Sequence, residues 1–128
     1  MPENTHPKPT DAELEILQVL WEHGPSPVRF VNDQLNERRE VGYTTTLKLM
    51  QIMHEKGLVS RNTDNRSHIY EASVGRHETR NNLLGNFVDN VFSGSATDLV
   101  MQALGSHKTS KAELDQIKEF IRRIEDEG

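Results

Sequence analysis

Cysteine is absent from the 128 residues, which excludes a disulfide framework, a Cys-ligated zinc finger and thiol chemistry together. No apolar run approaches the ~20 residues that cross a bilayer as a helix. The stretch Met1-Pro-Glu-Asn-Thr-His-Pro-Lys-Pro9 lacks the basic and apolar regions of a secretory signal, so the chain is read as soluble and cytoplasmic. Gly-rich phosphate loops, nucleophile elbows and His-Glu-x-x-His pairs are missing as well. His6, His23, His54, His68, His77 and His107 show no ligand spacing, and the carboxylates scatter over polar helix faces. Neither an enzyme nor a metal or other cofactor is expected. Lys and Arg number 15 against 20 Asp and Glu, a formal net charge of −5, which counts mildly against a nucleic-acid partner.

That average hides an asymmetry. Residues 1–40 carry four basic against eight acidic side chains, and residues 81–128 carry five against eight; residues 41–80 carry six against four. The middle alone tilts positive, and a local patch can matter where the total does not.

The order of elements explains where that patch falls. Thr10 and Glu13 make a capping box, after which Leu14, Leu17, Leu20 and Trp21 recur at helical spacing until Gly24-Pro25. Ser26-Pro27 reads as the opening of a second helix, Ser as cap and Pro at the first helical position, with Val28, Val31 and Leu35 as its buried stripe. A third helix runs from about Thr44 to Lys56 and stops at Gly57, suited to a left-handed C-terminal position. Thr46, Leu49, Met50 and Met53 share one side of it, and Thr44, Lys48, Gln51 and Glu55 the other. Two short strands follow, Leu58–Arg61 and His68–Ala72, joined by the polar turn Thr63–Ser67. Three helices and a β-hairpin predict a winged helix-turn-helix over residues 1–75, mainly α with a small β-hairpin wing.

Residues 76–128 read as a helical dimerisation region. Leu83, Leu84, Phe87, Val88, Val91 and Phe92 form a wide apolar stripe interrupted by Gly85. Ser95 and Asp98 cap a short helix. Ser110 and Glu113 make a second capping box, followed by Leu114, Ile117, Ile121 and Ile124 at the spacing of a heptad seam. About 53 residues build no stable core alone, so these faces either fold back on the winged domain or meet a second chain; symmetry favours the second.

In a helix-turn-helix the second helix enters the major groove. Here it begins Tyr43-Thr44-Thr45-Thr46-Leu47-Lys48. Thr44 and Thr45 suit phosphates or a thymine methyl, Lys48 a guanine edge or a phosphate, and Gln51 an adenine. Leu47 flanks this face, and Tyr43 suits either a phosphate contact or a structural place at the helix entrance. Arg61, Asn65 and Arg66 on the hairpin suit the sugar-phosphate backbone, where they add position and affinity rather than sequence information. The plain alternatives are capping chemistry for Thr44–Thr46 and solvated turn charge for Arg61 and Arg66.

At this point the residues resemble a known family. Pro9–Leu17 with Leu20-Trp21, then Tyr43-Thr44-Thr45 with Lys48-Leu49, then Glu55–Val59, then Asn86–Gly94 are similar in order and spacing to the penicillinase-repressor family of winged-helix regulators. The resemblance implies a homodimeric repressor whose winged domains each read half of a near-palindromic operator in double-stranded DNA. It also implies a membrane-bound metalloprotease sensor as a partner, and cleavage of an Asn-Phe bond, which here is Asn86-Phe87. Three features depart from the family pattern. The Cys pairs of its copper-responsive branch are absent, Thr46 stands where an aliphatic residue is usual, and Ile52-Met53 stands where Arg-Leu is frequent. The competing readings are a winged-helix protein-interaction module that binds no DNA and a repressor released by a small ligand.

Overall fold

A computed structural model describes residues 8–64 and 66–128. Residues 1–7 of the segment that lacks a secretory signal, and Asn65 of the predicted contact set, lie outside the described residues.

Helix α1 (Asp11–His23) starts on the expected capping box: Thr10 accepts the Glu13 amide at 3.2 Å while the Glu13 carboxylate accepts the Thr10 amide at 3.0 Å. Its inward face is Glu13, Ile16, Leu17 and Leu20. Leu14 is only half-buried and Ile16 takes the core position, a rotation of the predicted stripe.

Ser26–Pro27 does not open the second helix. The pair forms a short strand, β1, and helix α2 begins after it (Val28–Leu35). The Ser26 hydroxyl donates to the Gly24 carbonyl at 2.8 Å and caps nothing. The physical reason is local: a residue preceding proline is pushed towards extended backbone, and Ser26 stands between Pro25 and Pro27. Strand pairing then captures the extended segment, with Ser26 opposite Tyr70 and Pro27 opposite Ile69. Proline is tolerated there because β1 is an edge strand.

Helix α3 (Tyr43–Lys56) ends as expected on Gly57, with φ of 85° and ψ of 9°. The Leu58 amide then returns to the Met53 carbonyl at 2.9 Å and closes the helix end. Strands β2 (Val59–Asn62) and β3 (Ile69–Ala72) pair antiparallel, giving a three-stranded sheet in the order β1-β3-β2. The core lies where the three helices meet this sheet: Ile16, Leu17 and Leu20, Val31 and Leu35, Met50 and Met53, then Leu58, Val59 and Tyr70. This is a winged helix-turn-helix.

Helix α4 (Arg76–Val91) runs unbroken through Gly85. Contacts divide the chain after Leu83 into two units. The second contains the end of α4 with helices α5 (Ala96–Ser106) and α6 (Lys111–Glu127). Ser95 caps α5, and Ser110 and Glu113 form the predicted capping box of α6. Hydrogen bonds from Ser110 hold the Glu113 carboxyl below the ordinary glutamate range. No residue of α5 or α6 is buried. Among the described residues, no helix is long and apolar enough to cross a membrane.

Candidate nucleic-acid interface

Helix α3 is pinned at both ends by polar side chains reaching from earlier helices. Near its start, the buried Asn32 of α2 donates to the Thr46 hydroxyl at 2.8 Å and to the Val41 carbonyl at 3.0 Å. Asn36 donates to the same carbonyl at 2.9 Å and accepts the Val41 amide at 3.1 Å, tying off the turn between the two helices. At the far end, the Lys56 ammonium meets both oxygens of the buried Glu13 carboxylate at 2.9 Å. A helix held by side-chain networks at each end presents its outer face in one orientation, which is what reading a groove requires.

That outer face carries most of the predicted contact residues. Tyr43, Thr44, Thr45, Lys48 and Gln51 are exposed. Thr46, Met50 and Met53 turn inward as the periodicity predicts, and Leu47 is half-buried against the core. Glu55 is exposed one turn beyond Gln51 and is the helix's single carboxylate. On the hairpin, Arg66 is exposed near the tip. Arg61 is half-buried on β2, directly opposite Tyr70 on β3, and its Nε has no hydrogen-bond partner. The structure therefore brings the start of α3 and the wing onto one side, with Arg61 set back towards the sheet.

One neighbour of this face went unread in the sequence. The Arg29 guanidinium lies 4.7 Å from the centre of the Tyr43 ring, a cation–π distance. Arg29 sits in the first turn of α2, where a positive charge opposes the helix dipole. A cation at the unfavourable end of a helix was the available signal. Asn32 gave no such signal, since its role depends on Thr46, 14 residues away.

All the predicted dimerisation residues except Leu83 belong to the second unit. Leu83, Val88, Phe92 and Ile117 are half-buried, while Leu84, Phe87, Val91, Leu114, Ile121 and Ile124 are exposed. Phe87 and Phe92 form a tilted ring pair with centroids 5.8 Å apart. Phe120, which falls between the heptad positions, is exposed beside them in sequence, with Arg123 over its ring. Asn86 is exposed within α4. Among the described residues, no group of three or more His, Asp or Glu is placed to hold a metal ion.

Comparison with known proteins gives a consistent result. The family model described as penicillinase repressor matches residues 9–123. A transcriptional regulator BlaI of Mycobacterium tuberculosis is 36% identical over 69 residues, covering 53% of this chain and 50% of the relative. The chain thus spans about half the length of that curated relative. A penicillinase repressor of Bacillus licheniformis is 19% identical over 115 residues, covering 90% of each chain. Among solved structures, the DNA-binding domain of the repressor BlaI aligns with a TM-score of 0.51 at 22% identity, over 58% of this chain and 90% of that one.

Proposed function

The chain belongs to the penicillinase repressor family, and from that premise we propose that it is a homodimeric, sequence-specific DNA-binding repressor of transcription. Residues 1–75 serve as the DNA-binding domain and residues 76–128 as the dimerisation region, acting in the cytoplasm. The family is one of repressors and not of enzymes. The observation that carries the proposal is the exposed face of α3, free of acidic residues until Glu55 and held at both ends. Thr44, Thr45, Lys48 and Gln51 meet the major groove, Tyr43 a phosphate at the helix entrance, and Arg66 with Asn65 and Arg61 the backbone. Repression is steric: the dimer occupies a near-palindromic operator and leaves when dimerisation or DNA affinity falls. One winged domain makes few contacts, so joining two half-sites through the dimer supplies affinity by effective concentration.

Selection of bound sequences from a random DNA library by the full chain tests this directly. An inverted repeat is the expected product, and binding to it weakens steeply with salt. The log–log slope is about −0.9 for each of some 6–10 phosphates. Recovery of no motif, with binding flat across salt, overturns DNA recognition and leaves a winged-helix protein-interaction module.

A route of release is also proposed. The exposed apolar side chains of the second unit form the contact between two copies, and cutting the Asn86–Phe87 bond severs that region from the winged domain. Phe87 is 48% exposed, but the bond lies inside a helix, and a protease cleft takes an extended segment. Local opening of α4 therefore precedes the cut, eased by Gly85, which weakens the helix by about 1 kcal/mol relative to alanine. Co-expression with a membrane-bound metalloprotease sensor and its inducer should yield a fragment ending at Asn86. An intact chain by mass spectrometry overturns proteolytic release.

A further inference from the structure

A groove of about 250 Å3 opens between the first turn of α2, the start of α3 and the wing. Arg29, Tyr43, Arg66, Ser67, His68 and Tyr70 line it, and none of its lining residues is acidic. The contrast with a second groove, between α1, α2 and the start of α4, is instructive. There Glu15, Glu22 and Glu37 accompany Arg38, Arg76 and Arg80, and the charges balance internally.

Two independent features point to an anion in the first groove. Both helices that border it lack a side-chain cap, whereas α1, α5 and α6 begin on Thr10, Ser95 and Ser110 that accept first-turn amides. Uncapped first-turn amides seek an acceptor and favour negative charge. Independently, Tyr70 lines the groove, is 1% exposed, and its hydroxyl has no hydrogen-bond partner. A buried hydroxyl left unpaired is costly, so its position is understandable where a ligand oxygen or a water held by that ligand completes it. The Tyr43 ring meanwhile holds the Arg29 guanidinium at the groove's edge.

We propose that this groove seats one phosphate of the DNA backbone, with Arg29 as its main charged donor and His68 and Arg66 facing it from the wing. Arg29 and His68 thereby join the contact set. The seat rests on the DNA-binding reading above. It gives the helix-turn-helix and the wing a shared anchor on one strand, fixing how deeply α3 enters the groove without reading a base.

The test uses the full chain and the operator it selects, with single phosphates neutralised in turn as methylphosphonates. Arg29→Met, which keeps the aliphatic stem of an exposed residue, should weaken binding about tenfold on operator and unrelated DNA alike, with the salt slope reduced by about one. One methylphosphonate position should weaken the native chain by a similar factor and leave Arg29→Met unaffected. Tyr43→Leu combined with Arg29→Met should be no weaker than the two effects expected of one shared contact, well short of their product. An Arg29→Met protein with native slope, or one still sensitive at every phosphate, overturns the seat while DNA binding stands. If inorganic phosphate alone shifts the amide resonances around Tyr43 and His68, and Arg29→Met abolishes that shift without altering the DNA salt slope, the groove belongs to a free anion and the proposal fails. A native chain that selects no operator overturns the DNA-binding reading itself.

Discussion

Asn32 shows how much can hang on a single side chain. Its amide joins the Thr46 hydroxyl and the Val41 carbonyl inside the core, so it sets both the turn and the seating of α3. Asn32→Leu should lower stability by about 1–3 kcal/mol, the usual penalty for stranding a buried polar group. The stranded group is the Thr46 hydroxyl, because Asn36 still donates to Val41. Replacing both partners removes the penalty: Asn32→Leu with Thr46→Val should recover most of the loss in a denaturant titration. A double variant no better than the single one would show that Asn32 acts through packing alone. Periodicity placed Thr46 on the buried side correctly, yet nothing local announced what its hydroxyl would meet. Glu13 is similar. Its capping role with Thr10 is a pattern legible within three residues, while its buried pairing with Lys56 spans 43 residues and has no local signature.

Among the elements, the helix boundaries were the most readable part of the chain. Thr10/Glu13, Ser95/Asp98, Ser110/Glu113 and Gly57 are local signals, and each marks the end it was assigned. The exception is Ser26–Pro27, where the same residue types suit a cap or an extended segment. Pairing with β3 decided for the strand. The α6 capping box carries a pH consequence. Ser110 holds the Glu113 carboxyl below its ordinary value, so the folded helix favours the ionised form. That contribution is fully present above the unfolded glutamate range and is lost as the pH falls through the lowered folded value. The Ser110 backbone amide, which donates to the Glu113 carboxylate at 2.9 Å, is the larger cause and the Ser110 side chain the smaller. Ser110→Ala keeps that amide, so it should move the Glu113 titration, followed by carboxyl NMR, only part of the way back up. An unmoved titration would contradict the share assigned to the side chain.

For the whole molecule, the distribution of apolar surface argues for a second copy. The second unit exposes Leu84, Phe87, Val91, Met101, Phe120, Ile121 and Ile124, with Met101 68% exposed, and its two complete helices bury no residue. So many exposed large apolar side chains on one small unit suit an interaction site. Ile121→Glu with Ile124→Glu should convert a dimer into a monomer by light scattering while the winged unit keeps its helical signal. Operator affinity should fall by roughly 10²–10⁴-fold as the effective concentration of the second half-site disappears. A variant that keeps both its mass and its affinity places the contact elsewhere.

By itself the sequence determined the order of the helices and the hairpin, most of their caps and stops, and which face of α2 and α3 turns inward. Those properties depend on residues three or four apart, and the hydrophobic period and the capping chemistry are written within that window. The tertiary structure alone decided how α3 is held, that Ser26–Pro27 pairs as a strand, and that Arg29, Tyr43, His68 and Tyr70 line one groove. Asn32 and Thr46 stand 14 residues apart, Glu13 and Lys56 stand 43 apart, and Trp21 donates to the Val74 carbonyl across 53. Such partners share no local pattern, because their meeting is set by where packed elements bring the chain back on itself.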